Sequence, residues 1–341
     1  MTSSLPDLYW RQFEQVAARF EYHPWEENVL AERANDLNRM TSMRADRNEL
    51  ADQLAKYNQA IGNGEQALRH IEQLRNPSTL AVIGGQQAGL FTGPLLVIYK
   101  AATIVQEARR AQALLKRDVV PVFWIAGEDH DFNEVNHAYF LMNNRQCEKI
   151  ELQHPGDERA PVSEIHFTQE DWSRALEQLD ETLQPTEFKT ELMQKLQEIS
   201  AASSTLSDYF ARMMAWLFQD SGLILLDSHD PNIRALESPF FKFLIREHKT
   251  LNDAFLQGAR AVEQMGFEPQ AQVQEFGVNL FKVHDGQRLL LYREDGAFQD
   301  KGGQHRWSED ELLAVAASHP EQLSNNVLTR PLMQEYLFPV L

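Results

Sequence analysis

Residues 80–100 have the sequence LAVIGGQQAGLFTGPLLVIYK, and the expected fold is organised around this stretch. Its first four residues are apolar, which predicts a short buried strand. Three glycines follow within six positions, where a backbone turns sharply or passes close to another group. A Gly-Pro pair comes next, and Pro94 suits the first position of a helix. The stretch therefore predicts a strand, a glycine-rich loop and a helix.

Such a loop can place free backbone N–H groups and the positive end of a helix dipole around an anion. It matches neither familiar phosphate-binding motif, because Leu90 stands where a P-loop has lysine and Gln86 where dinucleotide-binding loops have glycine. A tight connection without a ligand is the alternative, in which Thr92 only caps the helix. We expect a substrate or nucleotide cradle formed by Gly84, Gly85, Gln86, Gln87, Gly89, Thr92 and Gly93.

A second apolar run, residues 120–126, ends in the polar sequence GEDHDFNEVNH at 127–137. Two parallel strands joined by one helix place the loops that follow them at the same edge of a sheet, where open α/β sheets bind ligands. An acidic helix start is the simpler interpretation. The density of carboxylate and imidazole groups favours acid–base chemistry, but the spacing matches no established zinc site, and we assign no metal ligand. We expect catalytic roles for Glu128, Asp129, His130 and Asp131, and substrate contacts from Asn136 and His137.

The motifs GQQAGLFTGP at 85–94 and PVFWIAGEDHD at 121–131 are long and chemically unusual. On these motifs the chain resembles the cysteine-adding enzymes of bacillithiol biosynthesis, the cysteine ligase family. The resemblance implies an α/β fold with a Rossmann-like parallel-sheet core. It also implies a carbon–nitrogen ligase that joins cysteine, through its carboxyl group, to the amine of glucosaminyl-malate. ATP with Mg²⁺ is the expected source of carboxyl activation, although neither loop carries an ATP signature.

The end of the sequence carries a further expectation. Residues 337–341, LFPVL, are apolar, whereas natural termini are usually polar. Members of the family continue into a helical coiled coil, which is a natural homodimer contact. The resemblance therefore implies a C-terminally truncated chain that lacks the coiled coil and the dimer. We expect such a chain to be monomeric or aggregation-prone, and poorly active.

The composition narrows the class of protein. A formal net charge of −18 opposes binding to nucleic acid, whose phosphates would be repelled. No apolar stretch is long enough to cross a bilayer, and no signal segment opens the chain. A single cysteine, Cys147, excludes an internal disulfide framework and suits a reducing compartment. These features predict a cytoplasmic α/β protein with small-molecule substrates and no nucleic-acid or membrane partner.

Breaks in the apolar periodicity divide the chain into four regions. We expect an N-terminal helical region at 1–78, the first half of the Rossmann-like core at 79–150, a mainly helical insertion at 151–220, and the second half of the core with a hairpin at 221–341, incomplete at the C-terminus. The insertion is predicted to contain a strand at 162–167 and helices centred near residues 176, 192 and 210, the last of which ends at residue 222.

The last region contains a third apolar run, residues 223–226, which predicts a third buried strand. Asp230 suits the N-cap of the next helix, and the apolar spacing predicts one long helix from 240 to 265. The Asp-Gly pair at 285–286 predicts a hairpin turn. Asp227 and Arg330 are the remaining candidate binding residues. The neighbours Ser228 and His229 give no evidence of a nucleophile, because sequence neighbours rarely have the required geometry.

Two other functions stay open. A metal-dependent hydrolase or nucleotidyl transferase would use the cluster at 128–137, and stoichiometric divalent metal in the purified protein would favour it. A non-catalytic fragment that binds nucleotide would show no turnover even as a full-length version.

Overall fold

The structure is a computed structural model that describes residues 4–40, 43–142, 146–156 and 160–341. The N-terminal helices are α1 (Leu5–Arg11), α2 (Val29–Arg39), α3 (Arg47–Ala60) and α4 (Glu65–Leu74). The next elements are β1 (Leu80–Gln86), α5 (Leu96–Leu115), β2 (Val119–Ile125), α6 (Phe132–Val135), β3 (His137–Leu141) and β4 (Cys147–Glu151). Then follow α7 (Gln169–Thr182), α8 (Lys189–Ala201), α9 (Leu206–Leu217), β5 (Ile224–Asp227), α10 (Pro231–Arg246) and α11 (His248–Gln264). The last elements are β6 (Gly277–His284), β7 (Gln287–Glu294), β8 (Ala297–Gln299), β9 (Arg306–Trp307), α12 (Glu309–Ser318), β10 (Leu323–Asn325) and α13 (Arg330–Leu337).

The central sheet is parallel, with the strand order β1-β2-β5. All of β2 is buried, as expected for a strand covered on both faces. Gln86 pairs with Ile125, and Ile125 pairs with Asp227, so the three strands end at one edge. This confirms the predicted α/β fold with a parallel-sheet core. Val340 also forms a parallel bridge to Ala81 in β1.

Two apolar cores lie on opposite faces of this sheet, because alternate residues of a strand point to opposite sides. Phe123 and Ile125 belong to a cluster that contains buried residues of α5 and α9. Val122 and Trp124 belong to a second cluster with residues of α3, α10 and β6. The sheet is therefore enclosed, and its polar residues are confined to its ends.

Helix α5 is the crossover between β1 and β2. Its buried side chains Val97, Ala101 and Ile104 recur at helical spacing. The predicted start at Pro94 is wrong by two residues: the helix begins at Leu96, because the carbonyl oxygen of Pro94 accepts from the N–H of Val97, three residues on, in a turn tighter than an α-helix.

The segment between β2 and β5 has a core of its own, in which Trp172 and Tyr209 stack with ring centroids 4.6 Å apart. Strands β3 and β4 pair as an antiparallel hairpin, and residues 143–145 between them lie outside the described residues. The three predicted helices are α7, α8 and α9. The strand predicted at 162–167 is wrong. Val162–Glu164 is a short 3-10 helix, because the N–H groups of Val162 and Ser163 bond to the loop after β2 instead of to a strand. Helix α9 ends at Leu217, before the predicted position.

The long helix predicted at 240–265 is two helices separated at Glu247. Helix α10 buries several apolar side chains, among them Phe241 and Leu244, whereas α11 buries only Asn252. The chain thus changes direction once the core is covered. The predicted N-cap is confirmed, since the Asp230 carboxylate accepts from two backbone N–H groups of α10.

A second sheet is antiparallel, with the order β10-β6-β7-β8-β9. The hairpin predicted around residues 285–286 joins β6 and β7, and both turn residues have positive φ, as the tight hairpin turn requires. In the described parts of the chain, no helix is long and apolar enough to cross a membrane.

Candidate functional site

The glycines of the first motif are needed for packing within the chain. The sequence suggests that Gly84 and Gly85 belong to the loop, but both residues lie inside β1. A Cβ atom at Gly84 would lie 2.7 Å from a side chain of α5, and one at Gly85 would overlap the carbonyl oxygen of Trp124. At Gly89 it would lie 2.7 Å from Cα of Gly93. The backbone contacts at Gly85 and Gly89 alone require glycine, whereas the end of the Ile104 side chain near Gly84 can move. A role of this motif in ligand binding stays a prediction.

The loop between β1 and α5 has a strained backbone. Phe91, Thr92 and Gly93 have φ angles of 51°, 73° and 71°, a region that a β-branched residue rarely adopts. The Phe91 ring packs against Tyr209, with centroids 6.1 Å apart, and this contact helps to hold the loop. The N-cap of α5 is Leu95, so Thr92 does not cap the helix. Strain of this kind occurs at ligand-binding sites, which is consistent with a functional loop.

The same loop presents hydrogen-bond donors. The backbone N–H groups of residues 87–89 donate to no other described residue. Lys100 donates from Nζ to Oε1 of Gln86 at 2.7 Å and to the carbonyl oxygen of Gly85 at 3.1 Å. Gln87 donates from Nε2 to Oδ2 of Asp129 at 2.9 Å. The two loops predicted to share the edge of the sheet therefore meet.

Glu128 is buried among cations. Its side chain is 1% exposed and lies 3.6 Å from Nη2 of Arg234 and 3.8 Å from Nε of Arg330. Neither carboxylate oxygen accepts a hydrogen bond from a described residue. Arg234 is also fully buried and donates to Glu237 at 2.6 Å, and burial raises the pKa of Glu237 to about 7. Glu128, Arg234, Glu237 and Arg330 form what we call the buried charge cluster.

Arg288 fixes the loop after β2. Its side chain is 4% exposed and donates to Oγ of Ser324 at 2.9 Å and to the carbonyl oxygen of Asn325 at 2.8 Å. Nη1 lies 3.7 Å from Oδ1 of Asp129 and 3.4 Å from Nδ1 of His130. Burial lowers the pKa of Arg288 to about 10, so the group is charged at neutral pH. Nδ1 of His130 thus lies between a guanidinium, which only donates, and Oδ1 of Asp129, which is 3.7 Å away.

Three backbone segments are joined at the same edge. The N–H of Ser163 donates to the carbonyl oxygen of Gly127 at 3.1 Å, and that of Val162 donates to Asp129 at 2.8 Å. Oγ of Ser163 also donates to Oδ2 of Asp227 at 2.7 Å. A Cβ atom at Gly127 would overlap both Ser163 Oγ and Asp227 Oδ1. Burial raises the pKa of Asp227, although its hydrogen bonds oppose this shift. Asp227 is thus at the predicted edge, and its contacts tie the segments together.

Asn136 and His137 bond within the hairpin and not to the other predicted site residues. Nδ2 of Asn136 donates to the carbonyl oxygen of Leu152 at 3.0 Å, and its Oδ1 lies 3.0 Å from Nδ1 of His137. The His137 ring packs edge-on against Tyr139, with centroids 5.2 Å apart. These contacts hold the two ends of the hairpin together, and substrate contacts from either residue stay a prediction.

One group of described side chains has the spacing of metal ligands. Asp129, His130 and Asp131 each offer one ligand atom, and these atoms lie within 4.8 Å of one another. Nε2 of His130 is 3.9 Å from Oδ1 of Asp131. Carboxylate and imidazole groups suit divalent ions, but exposed acidic residues also cluster without them. The geometry therefore leaves the metal-dependent alternative open.

The fold and this site define a class: α/β proteins with a Rossmann-like parallel sheet and a polar site at the carboxyl edge of its strands. A family model described as "Bacillithiol biosynthesis BshC, N-terminal Rossmann-like domain" matches residues 1–341. The chain belongs to this family, which confirms the resemblance drawn from the two motifs.

Similar proteins from three Bacillus species share a name. A protein of Bacillus cytotoxicus named "Putative cysteine ligase BshC" is 42% identical over 293 residues, which cover 86% of this chain and 54% of the relative. Proteins of the same name from Bacillus cereus and Bacillus anthracis are 36% identical over 328 residues, which cover 96% of this chain and 60% of each relative. The chain thus spans 54–60% of the length of these relatives.

Proposed function

We propose that this chain forms the Rossmann-like part of an enzyme of bacillithiol biosynthesis. The reaction joins the carboxyl group of cysteine to the amine of glucosaminyl-malate, which creates a carbon–nitrogen bond. Membership of the family and the name of the relatives support this proposal. The observation that carries it is the meeting of both family motifs at one site, through the hydrogen bond of 2.9 Å between Gln87 and Asp129.

The side chains at this site suit such a reaction. Forming an amide requires that anionic substrates be held and that the amine lose a proton. Arg288 and Arg330 supply fixed positive charge, and Arg330 is 28% exposed, within reach of a ligand. Asp129 and His130 supply proton acceptors that are 20% and 34% exposed. We therefore assign substrate carboxylates to the guanidinium groups and acid–base work to the loop after β2.

The residues present also fit a nucleoside triphosphate with its metal ion. The free N–H groups of residues 87–89 and the ammonium group of Lys100 suit phosphate oxygens, and the carboxylates of Asp129 and Asp131 suit Mg²⁺. Such a nucleotide would supply the activation of the cysteine carboxyl group. The chain's own residues would bind the phosphates and hold the amine close to the activated group.

The test compares the complete reaction mixture with mixtures that each lack one component. Purified protein is incubated with cysteine, glucosaminyl-malate and ATP-Mg, each left out in turn, and the product is detected by its mass. The proposal expects the amide only in the complete mixture. A Bacillus cytotoxicus relative serves as the longer comparison protein. If both proteins bind cysteine but neither forms an amide, the proposal is wrong.

The metal-dependent alternative rests on the spacing of Asp129, His130 and Asp131. A hydrolase or nucleotidyl transferase built on these residues would retain stoichiometric divalent metal and lose activity with a chelator. Hydrolysis of a phosphoester by the metal-loaded protein, without amide formation, would favour it. Full ligation by metal-free protein would exclude it.

A further inference from the structure

A cavity apart from the candidate site lies between α11 and the first residues of the β6–β7 hairpin. Its volume is about 410 Å³, which is within the usual range of small-molecule sites. Arg293 of this cavity and Arg288 of the candidate site are both in β7, and residues an odd number apart in a strand point to opposite faces. The cavity and the candidate site therefore lie on opposite faces of the hairpin. The charged residues that line the cavity are Lys249, Asp253, Arg260, Glu275 and Arg293.

Arg293 is a half-buried cation without a counter-ion. Its guanidinium lies over the Phe298 ring, 4.4 Å from the ring centroid, and its backbone N–H donates to the carbonyl oxygen of Phe276 at 2.8 Å. The guanidinium forms no hydrogen bond or ion pair with any described residue. Of its three nitrogens only Nη1 is buried, so Nε and Nη2 have accessible surface. The group is thus held in place and keeps donors for a ligand.

The other charged side chains of the cavity are also unpaired. Among the described residues, neither Lys249 nor Arg260 has a carboxylate oxygen within 4 Å, whereas Arg75 and Arg212 on other helices form ion pairs of 2.7 and 2.9 Å. Three cations and two carboxylates leave a local excess of positive charge in a chain of formal net charge −18. Because no counter-ion has to be displaced, an anion that enters the cavity keeps the full attraction of these cations.

The walls of the cavity are fixed by hydrogen bonds. Asn252 is 4% exposed and donates from Nδ2 to the carbonyl oxygens of Gln274 and Glu275, at 3.0 and 2.9 Å. These bonds attach α11 to the segment before β6. Phe276 in that segment is 51% exposed and lines the cavity together with Leu256. An exposed aromatic ring beside fixed donors suits a ligand with a flat apolar part.

We propose that this cavity binds a small organic phosphate of the size of a nucleoside monophosphate. The phosphate group lies among Lys249, Arg260 and Arg293, because a guanidinium matches two oxygens of a phosphate and several cations suit a dianion. The apolar ring of the ligand packs on Phe276, and the carboxylates of the cavity accept from sugar hydroxyl groups. This inference is independent of the proposed function, since none of these residues belongs to the candidate site.

The experiment titrates adenosine monophosphate by calorimetry into the 341-residue chain that carries Lys100→Met, which removes a phosphate ligand proposed for the candidate site. We expect one binding event, and adding Arg293→Gln should weaken it by ~10-fold or more, the scale of a lost charge-assisted hydrogen bond. Arg260→Gln changes an exposed side chain, so it should weaken binding without affecting the fold. The matched control, Arg306→Gln, removes an exposed cation of β9 outside the cavity and should leave the affinity unchanged.

Ribose 5-phosphate and inorganic phosphate test which parts of the ligand are recognised. Both should bind more weakly than adenosine monophosphate, and Phe276→Ala should reduce the difference. Equal binding of ribose 5-phosphate would narrow the class to sugar phosphates. Equal binding of inorganic phosphate would mean an adventitious ion only and would overturn the proposal. An affinity that neither Arg293→Gln nor Arg260→Gln changes, or no binding at about 1 mM adenosine monophosphate, would overturn it too. Amide formation is measured separately, so these outcomes leave the proposed function intact.

Discussion

Replacing Arg234 with methionine tests whether the buried charge cluster is organised as described. The guanidinium of Arg234 is fully buried, 2.6 Å from Glu237 and 3.6 Å from Glu128. Methionine fills much of the same volume, so the change removes the charge and leaves little cavity. Two carboxylates would then remain buried, and among the described residues Arg330 would be the remaining cation within 4 Å of either of them.

The expected loss is about 3–5 kcal/mol in the free energy of unfolding, the range for removing one partner of a buried ion pair. Much of this loss is the cost of leaving the carboxylates unpaired. The double variant Arg234→Met, Glu237→Met removes one of them, and it should recover more than about 1 kcal/mol.

Chemical denaturation at pH 8, where Glu237 is ionised, measures these free energies. The control is Arg110→Met. Arg110 forms an ion pair of 2.7 Å with Glu107 at the same three-residue spacing, but the two side chains are 54% and 42% exposed. That variant should lose less than about 1 kcal/mol. A cost for Arg234→Met no larger than for the control would refute the buried cluster.

Three further outcomes are expected. Burial raises the pKa of Glu237 from 4.5 to about 7, so the folded state binds this proton more tightly than the unfolded state does. The contribution of Glu237 to the free energy of unfolding should therefore fall by about 3 kcal/mol as the pH rises from 4.5 to 7. Chemical denaturation of Glu237→Gln across the same pH range should lack this decrease. Gly127→Ala should sharply lower the melting temperature, since its Cβ atom would overlap two side chains, whereas Gly258→Ala, in an open position of α11, should be neutral or stabilising. Asp129→Asn combined with His130→Ala should lower turnover by at least ~100-fold, and surviving activity in the mass assay would reduce this loop to a structural role.

The parallel sheet could be predicted because β2 and β5 are fully buried, and β1 begins buried, so that each strand contains an almost continuous apolar run in sequence. Each of the three apolar runs ends in a polar loop, and pairing of Gln86 with Ile125 and of Ile125 with Asp227 brings these loops to one edge. The alternation of apolar runs and polar loops in the sequence was therefore enough to predict both the sheet and the edge at which the loops meet.

The partners of the acidic loop could not be predicted, because they come from distant parts of the chain. Arg288 lies in β7 and contacts His130, which is 158 residues away in sequence. Arg234 lies on α10 and Arg330 on α13. The apolar periodicity of each segment gives no information about contacts between distant segments, so it could not predict that three guanidinium groups lie around one loop. The sequence does contain one signal for the strand that carries Arg288. A second Asp-Gly pair, at 295–296, forms the turn between β7 and β8, and both of its residues have positive φ.

The glycine-rich motif has two interpretations that the sequence alone does not separate, for a physical reason. Glycine permits the close approach of a ligand, but it equally permits the close approach of another part of the same chain. Here Gly85 makes room for the carbonyl group of Trp124, and Gly89 makes room for Gly93. The sequence shows where space is needed and not what fills it.

The charges at the site explain how a protein with a formal net charge of −18 could hold the anionic substrates that we propose. The guanidinium groups of Arg234, Arg288 and Arg330 face the carboxylates of Glu128, Asp129 and Glu237. Because burial raises the pKa of Glu237 to about 7, this last carboxylate is partly protonated at neutral pH. Protonation of Glu237 leaves the guanidinium charges of this group less compensated, and a low-dielectric surrounding strengthens their effect on a nearby anion. Local charge, set by the burial of one glutamate, thus opposes the charge of the whole chain.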